Sequence, residues 1–443
     1  MGLLVLSALL AVYCGIYMTR NLLPLDDMKQ QVILAAEKGL ISSEVTGRSP
    51  AGWGVDHATE CLTLGLGLGK GELGEQLSDK FISSKTTFNP CVGLIQSATD
   101  VTTETYTESY ARYWHGHAVL SQWLIYFLGL PIFRNLLSVI ALLLLILNFS
   151  AIEKIRNENN SLPKLYSFLL LSPFVILGDW ADVYASIPHI LANIGCMGIT
   201  LIFSRSLDNS KNQNLFYSGL ILGSVYNFVL FMLSPQSIPI MLLTWVLLPR
   251  IMSGRKIRTE SVKFSVFFVG ILFGYIATWI GKWILVAQLT NIDIFGNVLG
   301  QAVHRTNTNI SSLSSGVSLN LDFISGAPVF VQSIFANITA LGIHIADPRY
   351  SSEYYFAIIG LIFLVFIFQF FRSFIQLSES QRKLNYLYFG ALAFSTFVLL
   401  TWYSILGQHS FDHATYTYRS LAILLGGYMC VLGSVISNKP SDN

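Results

Sequence analysis

Charge is the scarcest property of this sequence. Only 12% of its 443 residues are Asp, Glu, Lys or Arg, while 53% are hydrophobic, and mean hydropathy is +0.56. A soluble domain carries roughly 25% charged residues, so an ordinary water-soluble fold is excluded. Lys and Arg number 27 against 25 Asp and Glu, and no basic stripe with interleaved aromatics occurs, which sets nucleic acid aside as a partner. The alternation expected of barrel strands is missing. Cysteines are few, five in all, and none stands in a CxxC or Cys/His metal spacing. No long internal repeat is visible. The run Gly65-Leu66-Gly67-Leu68-Gly69-Lys70-Gly71 lacks P-loop spacing, which needs four residues between Gly and Gly-Lys and then Ser or Thr. It reads as a flexible loop.

What the chain does have is a series of apolar runs: 2–18, 134–152, 188–204, 215–234, 262–286, 354–371, 386–406 and 419–437. Most approach the ~20 residues that carry a helix across a bilayer, and helices satisfy their own backbone in lipid. The predicted fold class is therefore all-α, a polytopic transmembrane bundle of about ten to twelve membrane helices. Segment 2–18 lacks a basic n-region, and Tyr13 before Cys14 spoils a cleavage or lipidation site, so it reads as a retained first span. Cys14, Cys196 and Cys430 lie inside apolar segments and read as packing residues.

Basic loops at 153–164, 205–211, 250–263 and 372–383, with Lys439 in the tail, fit the cytoplasm. The loops 18–117, 179–187, 234–238, 287–352 and 407–418 then face outside. Parity strains at 118–152, where an odd number of crossings is needed but 118–130 is short and Pro131 ends it. That segment is an interfacial or re-entrant helix, or the topology shifts by one crossing there; 328–345 poses the same choice. The organisation reads as a first span 1–18, an extracytoplasmic loop 19–117 with membrane-surface helices such as 27–38, a bundle 118–286, a second large outer loop 287–352 and C-terminal spans 353–437. Loops of that length usually carry function.

The candidate chemistry lies on the outer side. Asp26 and Asp27 follow Pro24, either as acids stabilising a helix N-terminus or as a catalytic base at the membrane face. In GVDHATE, Asp56 and Glu60 would share a helix face if the segment is helical and could divide acid and base duty; a solvated helix start is the plain alternative. Cys61 and Cys91 share one polar loop, where they could form a disulfide if the loop is outside; two free thiols are the plain alternative. In Arg112-Tyr113-Trp114-His115-Gly116-His117 the histidines stand at i and i+2, not on one helix face, and His115 is a candidate phosphate donor. Arg134 reads as an interfacial anchor. Asp179 and Asp182 occupy a short loop between spans, as a second acid, a metal ligand or a hydrated tip. Lys282 between Trp279 and Trp283 is explained by snorkelling, but with Arg305 and Arg419 it could clamp a lipid phosphate.

The stretches GVDHATECLTL, YARYWHGHAVLSQWLIYFLGLPIFRNLL, KWILVAQLTNIDIFGNVLGQAVHRT and TYTYRSLA, with one span followed by a large acid-bearing loop and then a bundle, resemble the GT-C superfamily of polytopic glycosyltransferases and, more narrowly, a group of bacterial membrane proteins of that type. The resemblance covers most of the chain through short motifs. It implies a polyprenyl-phosphate-linked sugar donor, an envelope glycan or lipid acceptor, inverting transfer at the extracytoplasmic face of a bacterial plasma membrane, and in some members a divalent cation. The family's first-loop acid would fall on Asp56 by the narrower pattern and on Asp26 or Asp27 by general position; its second-loop acid would fall on Asp179 or Asp182.

The expectation is thus a multi-pass membrane glycosyltransferase with Asp56 as the favoured base, and Lys282, Arg305, Arg419 and His115 at the donor phosphate. Its rivals are an O-antigen or polysaccharide polymerase or ligase, a transporter of lipid-linked sugars, and a non-catalytic assembly factor. A transporter would place ionisable residues near the midplane and break its helices in repeats, whereas here they gather at loop edges.

Overall fold

The computed structural model describes residues 2–42, 46–48, 54–84, 90–99, 105–158, 165–177, 184, 186–208, 211–230, 235–306, 327–343, 379–406, 410, 417 and 419–437. The chain is mostly helical. Among the described residues four helices are long and apolar enough to cross a membrane: Gly2–Leu22, Leu130–Asn157, Ile187–Ser206 and Ile257–Leu289.

The elements in order are α1 (Gly2–Met18), α2 (Leu25–Glu37), β1 (Thr46–Arg48), β2 (Gly54–Asp56), α3 (His57–Gly67), α4 (Leu73–Leu77), β3 (Lys80–Ser84), α5 (Pro90–Ala98), β4 (Thr105–Ser109), α6 (Gly116–Leu128), α7 (Leu130–Glu158) and α8 (Tyr166–Leu177). Then follow α9 (Ile187–Ser206), α10 (Asn212–Leu230), α11 (Ser237–Met252), α12 (Ile257–Leu289), α13 (Ile294–Thr306), α14 (Val329–Ile343), α15 (Glu379–Ile405) and α16 (Arg419–Ser437). The expected run 354–371 lies outside the described residues.

Packing follows residue size. Gly219 and Gly223 on α10 face Gly270 and Gly274 on α12, four residues apart on each helix. A Cβ at Gly274 would lie 2.0 Å from the Leu220 carbonyl oxygen, and one at Gly223 2.1 Å from that of Ile271. Small residues at this spacing let helix backbones touch, which is how helices associate when no hydrophobic gradient drives them together. α11 is buried all round, with Met241, Leu242, Trp245 and Val246 in the main core beside Phe174 and Cys430. Cys196 and Cys430 are buried, while Cys14 is half-buried.

The helix ends sort into two groups. At one end Arg250 of α11 pairs with Asp208 and with Glu260 of α12, and Lys263 donates to the Leu207 carbonyl. Two of the basic loops, 205–211 and 250–263, therefore meet there, and Lys154 of a third lies beside them. The opposite end holds the end of α1, the described residues of the segment 54–117 and the end of α12. α6 bears on the parity question at 118–152. Its 13 residues span about 20 Å, short of a ~30 Å hydrocarbon core. It stays at that second end: His117 meets Thr63 of α3, and Trp123 donates to Thr19. Gly129 turns the chain with φ +75° into α7, whose Arg134 bonds the Leu40 carbonyl at this same end.

The described residues of segment 19–117 form short helices and strands. α2 starts just after Pro24 with Asp26 and Asp27 in its first turn. β1 pairs antiparallel with β2 (Gly47 opposite Val55), and β3 with β4 (Ile82 opposite Thr107). Two expectations are corrected. Asp56 and Glu60 do not share a helix face, because Asp56 ends β2 and α3 begins at His57. The glycine run is no flexible loop: Gly65 and Gly67 belong to α3, Gly71 (φ +118°) exchanges two hydrogen bonds with Asn21 at 2.9 and 3.0 Å, and Lys70 donates to the Leu23 carbonyl.

Candidate functional site

A buried carboxylate that the sequence does not single out organises the second end. Asp79 sits between α4 and β3, fully buried, with φ +43°, a left-handed conformation that Asp tolerates better than most residues. Its side chain receives Arg20 at 3.2 Å and the Tyr17 hydroxyl at 2.9 Å, and it pairs with Lys282. Lys282 also donates to the Tyr113 carbonyl. The Tyr17 oxygen in turn accepts the His115 backbone N–H at 2.7 Å. One carboxylate thus ties together the ends of α1 and α12, the α4–β3 turn and the segment leading into α6. Such a charge is retained in an apolar setting only when its partners are this close.

Above this knot lies a cationic, aromatic cluster. The Arg112 guanidinium stands 4.1 Å from the Tyr110 ring centroid and 5.3 Å from that of Tyr113, and Arg305 stands 5.6 Å from Tyr113. Trp279 and Trp283 both donate to the Arg112 carbonyl, at 2.6 and 2.9 Å, and Tyr113 stacks on Trp279. The Arg112 guanidinium also reaches Asn297 at 3.5 Å. Neither Arg112 nor Arg305 pairs with a carboxylate among the described residues. Burial raises the Tyr113 phenol above its ordinary pKa, with the Tyr110 phenol adding to the rise and Arg305 and Arg112 opposing it.

His115 and His117 are buried and neutral. Burial holds His115 well below the usual histidine range, and Lys282 adds to the effect. Burial and Arg20 lower His117 to about 3. His115 Nε2 lies 3.2 Å from the Tyr110 carbonyl, which fixes its proton on that nitrogen.

The second polar centre surrounds the start of α9. Glu60, fully buried, pairs with Arg134 at 3.0 Å and accepts the Ile187 N–H at 2.7 Å. A carboxylate is favoured at a helix N-terminus, so Glu60 anchors α9. Arg134 is a buried ion-pair partner here and not an interfacial anchor. Two residues on from Ile187, His189 Nδ1 lies 3.2 Å from the Arg419 guanidinium.

Of the residues singled out from the sequence, Lys282, His115 and Arg305 gather around Tyr113, whereas Arg419 belongs to the α9 centre. Lys282 is fully buried and does not snorkel. Glu60 is committed to Arg134 and α9. Asp26 and Asp27 are exposed on α2. Only the backbone of Asp56 is described, and Asp179 and Asp182 lie outside the described residues. Cys61 and Cys91 form a disulfide between α3 and α5. Among the described residues no three His, Cys, Asp or Glu side chains come together as a metal site. Sequence reasoning missed Asp79 and Arg20. The available signal was indirect: two cations, Arg20 and Lys282, at helix ends on one predicted side demand a counter-ion.

No protein-family model, curated protein or solved structure compared with the chain matches it.

Proposed function

We propose that the chain is an integral, multi-pass membrane glycosyltransferase of GT-C type, transferring a sugar from a polyprenyl-phosphate donor to an envelope glycan or lipid at the Asp79 end of the bundle. The observation that carries this reading is the pair Arg112 and Arg305, flanking Tyr113 with no carboxylate partner among the described residues. Guanidinium groups bind phosphate oxygens with two parallel bonds, and tryptophans beside them suit headgroup depth. The cation set differs from the one read off the sequence. Lys282 is consumed by Asp79, so Arg112 joins Arg305 as the phosphate ligand and Lys282 positions the segment carrying Tyr113. In this reading Asp26 and Asp27, solvent-accessible at the start of α2, are candidates for the base beside Asp56, the acid favoured from the sequence.

Paired arginines near a histidine also favour a second reading, a polysaccharide polymerase or ligase, which would depend on those arginines and not on first-loop acids. Purified protein incubated with polyprenyl-phosphate sugars tests both. Arg112→Ala and Arg305→Ala should each reduce sugar release at least about tenfold, the loss of one charge-assisted contact of about 1.5–3 kcal/mol. Under the transferase reading, replacing Asp26, Asp27 and Asp56 singly by Asn identifies one base; if all three variants retain full activity, the polymerase or ligase reading takes its place. Unimpaired turnover in both arginine variants would remove both readings.

A further inference from the structure

The opposite end of the bundle carries a cavity of about 340 Å³, lined by Leu147, Ser150, Lys154 and Ile155 of α7, Ser204, Arg205 and Asp208 at the end of α9, and Arg250. Arg250 forms its floor, buried and fixed by Glu260 at 2.6 Å and Asp208 at 2.7 Å. Lys154 and Arg205 stand exposed on the rim and pair with no carboxylate among the described residues. Asp208 and Glu260 are both taken by Arg250 and Glu153 by Arg156, which leaves Lys154 and Arg205 as the two unmatched charges of the rim. A wider groove shares Ser150 and Lys154 and continues past Phe149. Exposed Leu143 and Leu147, four residues apart on α7, and Ile202 on α9 extend an apolar surface away from the cavity.

The geometry points to a binding site for an anionic phospholipid: the phosphate at the mouth of the cavity against Lys154 and Arg205, with Arg250 held beneath them by Asp208 and Glu260, and the acyl chains along α7 and α9. Nothing in the proposed transfer reaction uses this end, and the inference stands without it. It does require that the long helices cross a membrane. Charge sets the headgroup preference. A zwitterionic headgroup brings an ammonium group into a cavity already rich in cations, whereas phosphatidylglycerol brings net negative charge, and basic pockets between helices at a membrane face recognise such headgroups. The apolar surface beside the cavity distinguishes a lipid from free phosphate, because acyl burial adds affinity that an inorganic ion cannot gain.

The test uses the full-length protein in detergent, titrated with short-chain phosphatidylglycerol, short-chain phosphatidylcholine or inorganic phosphate, with binding read by calorimetry. Phosphatidylglycerol should bind at least about tenfold tighter than either of the others. The rim variant carrying Lys154→Ala and Arg205→Ala, both exposed positions, should weaken it roughly 30-fold, while Arg305→Ala at the far end leaves it unchanged. Equal affinity for the two lipids, inorganic phosphate binding as tightly as phosphatidylglycerol, or a rim variant that binds like the parent would each overturn the site.

Discussion

Asp79 is the residue on which the second end of the bundle depends. It pairs with both Arg20 and Lys282 and accepts the Tyr17 hydroxyl, all within one buried volume. Replacing it with Asn keeps the shape and removes the charge, leaving two buried cations unmatched. Breaking a buried pair costs about 3–5 kcal/mol, so Asp79→Asn should lower the midpoint of thermal unfolding sharply, and adding Lys282→Met should recover part of the loss. A variant as stable as the parent would mean that the carboxylate is dispensable. The buried histidines give a pH signature. Both are neutral in the fold, with His117 lowered to about 3 from 6.5 and His115 also well below 6.5. The unfolded chain binds protons below pH ~6.5 where the folded chain does not, so stability is fully present above that pH. It falls as pH drops, by about 1.4 kcal/mol per unit for each histidine. Denaturation measured between pH 7 and 5 should show this slope, and His117→Gln should roughly halve it.

Among the elements, the α10–α12 pair is the most exacting contact. Backbones approach so closely at Gly219, Gly223, Gly270 and Gly274 that a side chain meets carbonyl oxygens at 2.0–2.3 Å. A flexible neighbour could yield; a helix backbone cannot without moving the helix. Gly274→Leu should therefore destabilise by more than the 1–3 kcal/mol typical of overpacked cores, seen as a lower unfolding temperature and poorer recovery of monodisperse protein. The same substitution at Gly198 of α9, where no atom lies within 4 Å of the added carbon, should be tolerated. The four-residue glycine spacing is legible in the sequence, but that these two pairs oppose each other is not. The limits of α1 and α16 and the approximate limits of α9 and α12 follow from apolar run length alone. β1 through β4, α3 and α5 do not, because they are short, carry little period, and are held by contacts distant in sequence such as the Cys61–Cys91 bridge.

At the scale of the whole molecule, the described parts of the basic loops 153–164, 205–211 and 250–263 gather at one end and the Asp79 and α9 centres at the other. If the positive-inside rule sets orientation, single cysteines placed at exposed Lys80 and at Arg255 should label from opposite sides of sealed membranes, Lys80 from outside. Labelling of Lys80 only from the cytosol would invert the topology and move the proposed chemistry to the wrong leaflet for an exported acceptor.

Composition and run length by themselves decided that this chain is helical and apolar, with charge confined to segment ends, because the cost of burying unpaired polar groups leaves few other solutions. They also marked Lys282, Arg305 and His115 as residues of one end. Which cation meets which acid was decided only by the folded chain. Asp79 looks like any loop aspartate until α1 and α12 close around it, Lys282 passes from candidate ligand to structural counter-ion, and Glu60 passes from candidate acid to helix anchor. Such pairings depend on distances of a few ångströms between residues up to 203 positions apart, and a sequence read along its length carries no measure of those distances.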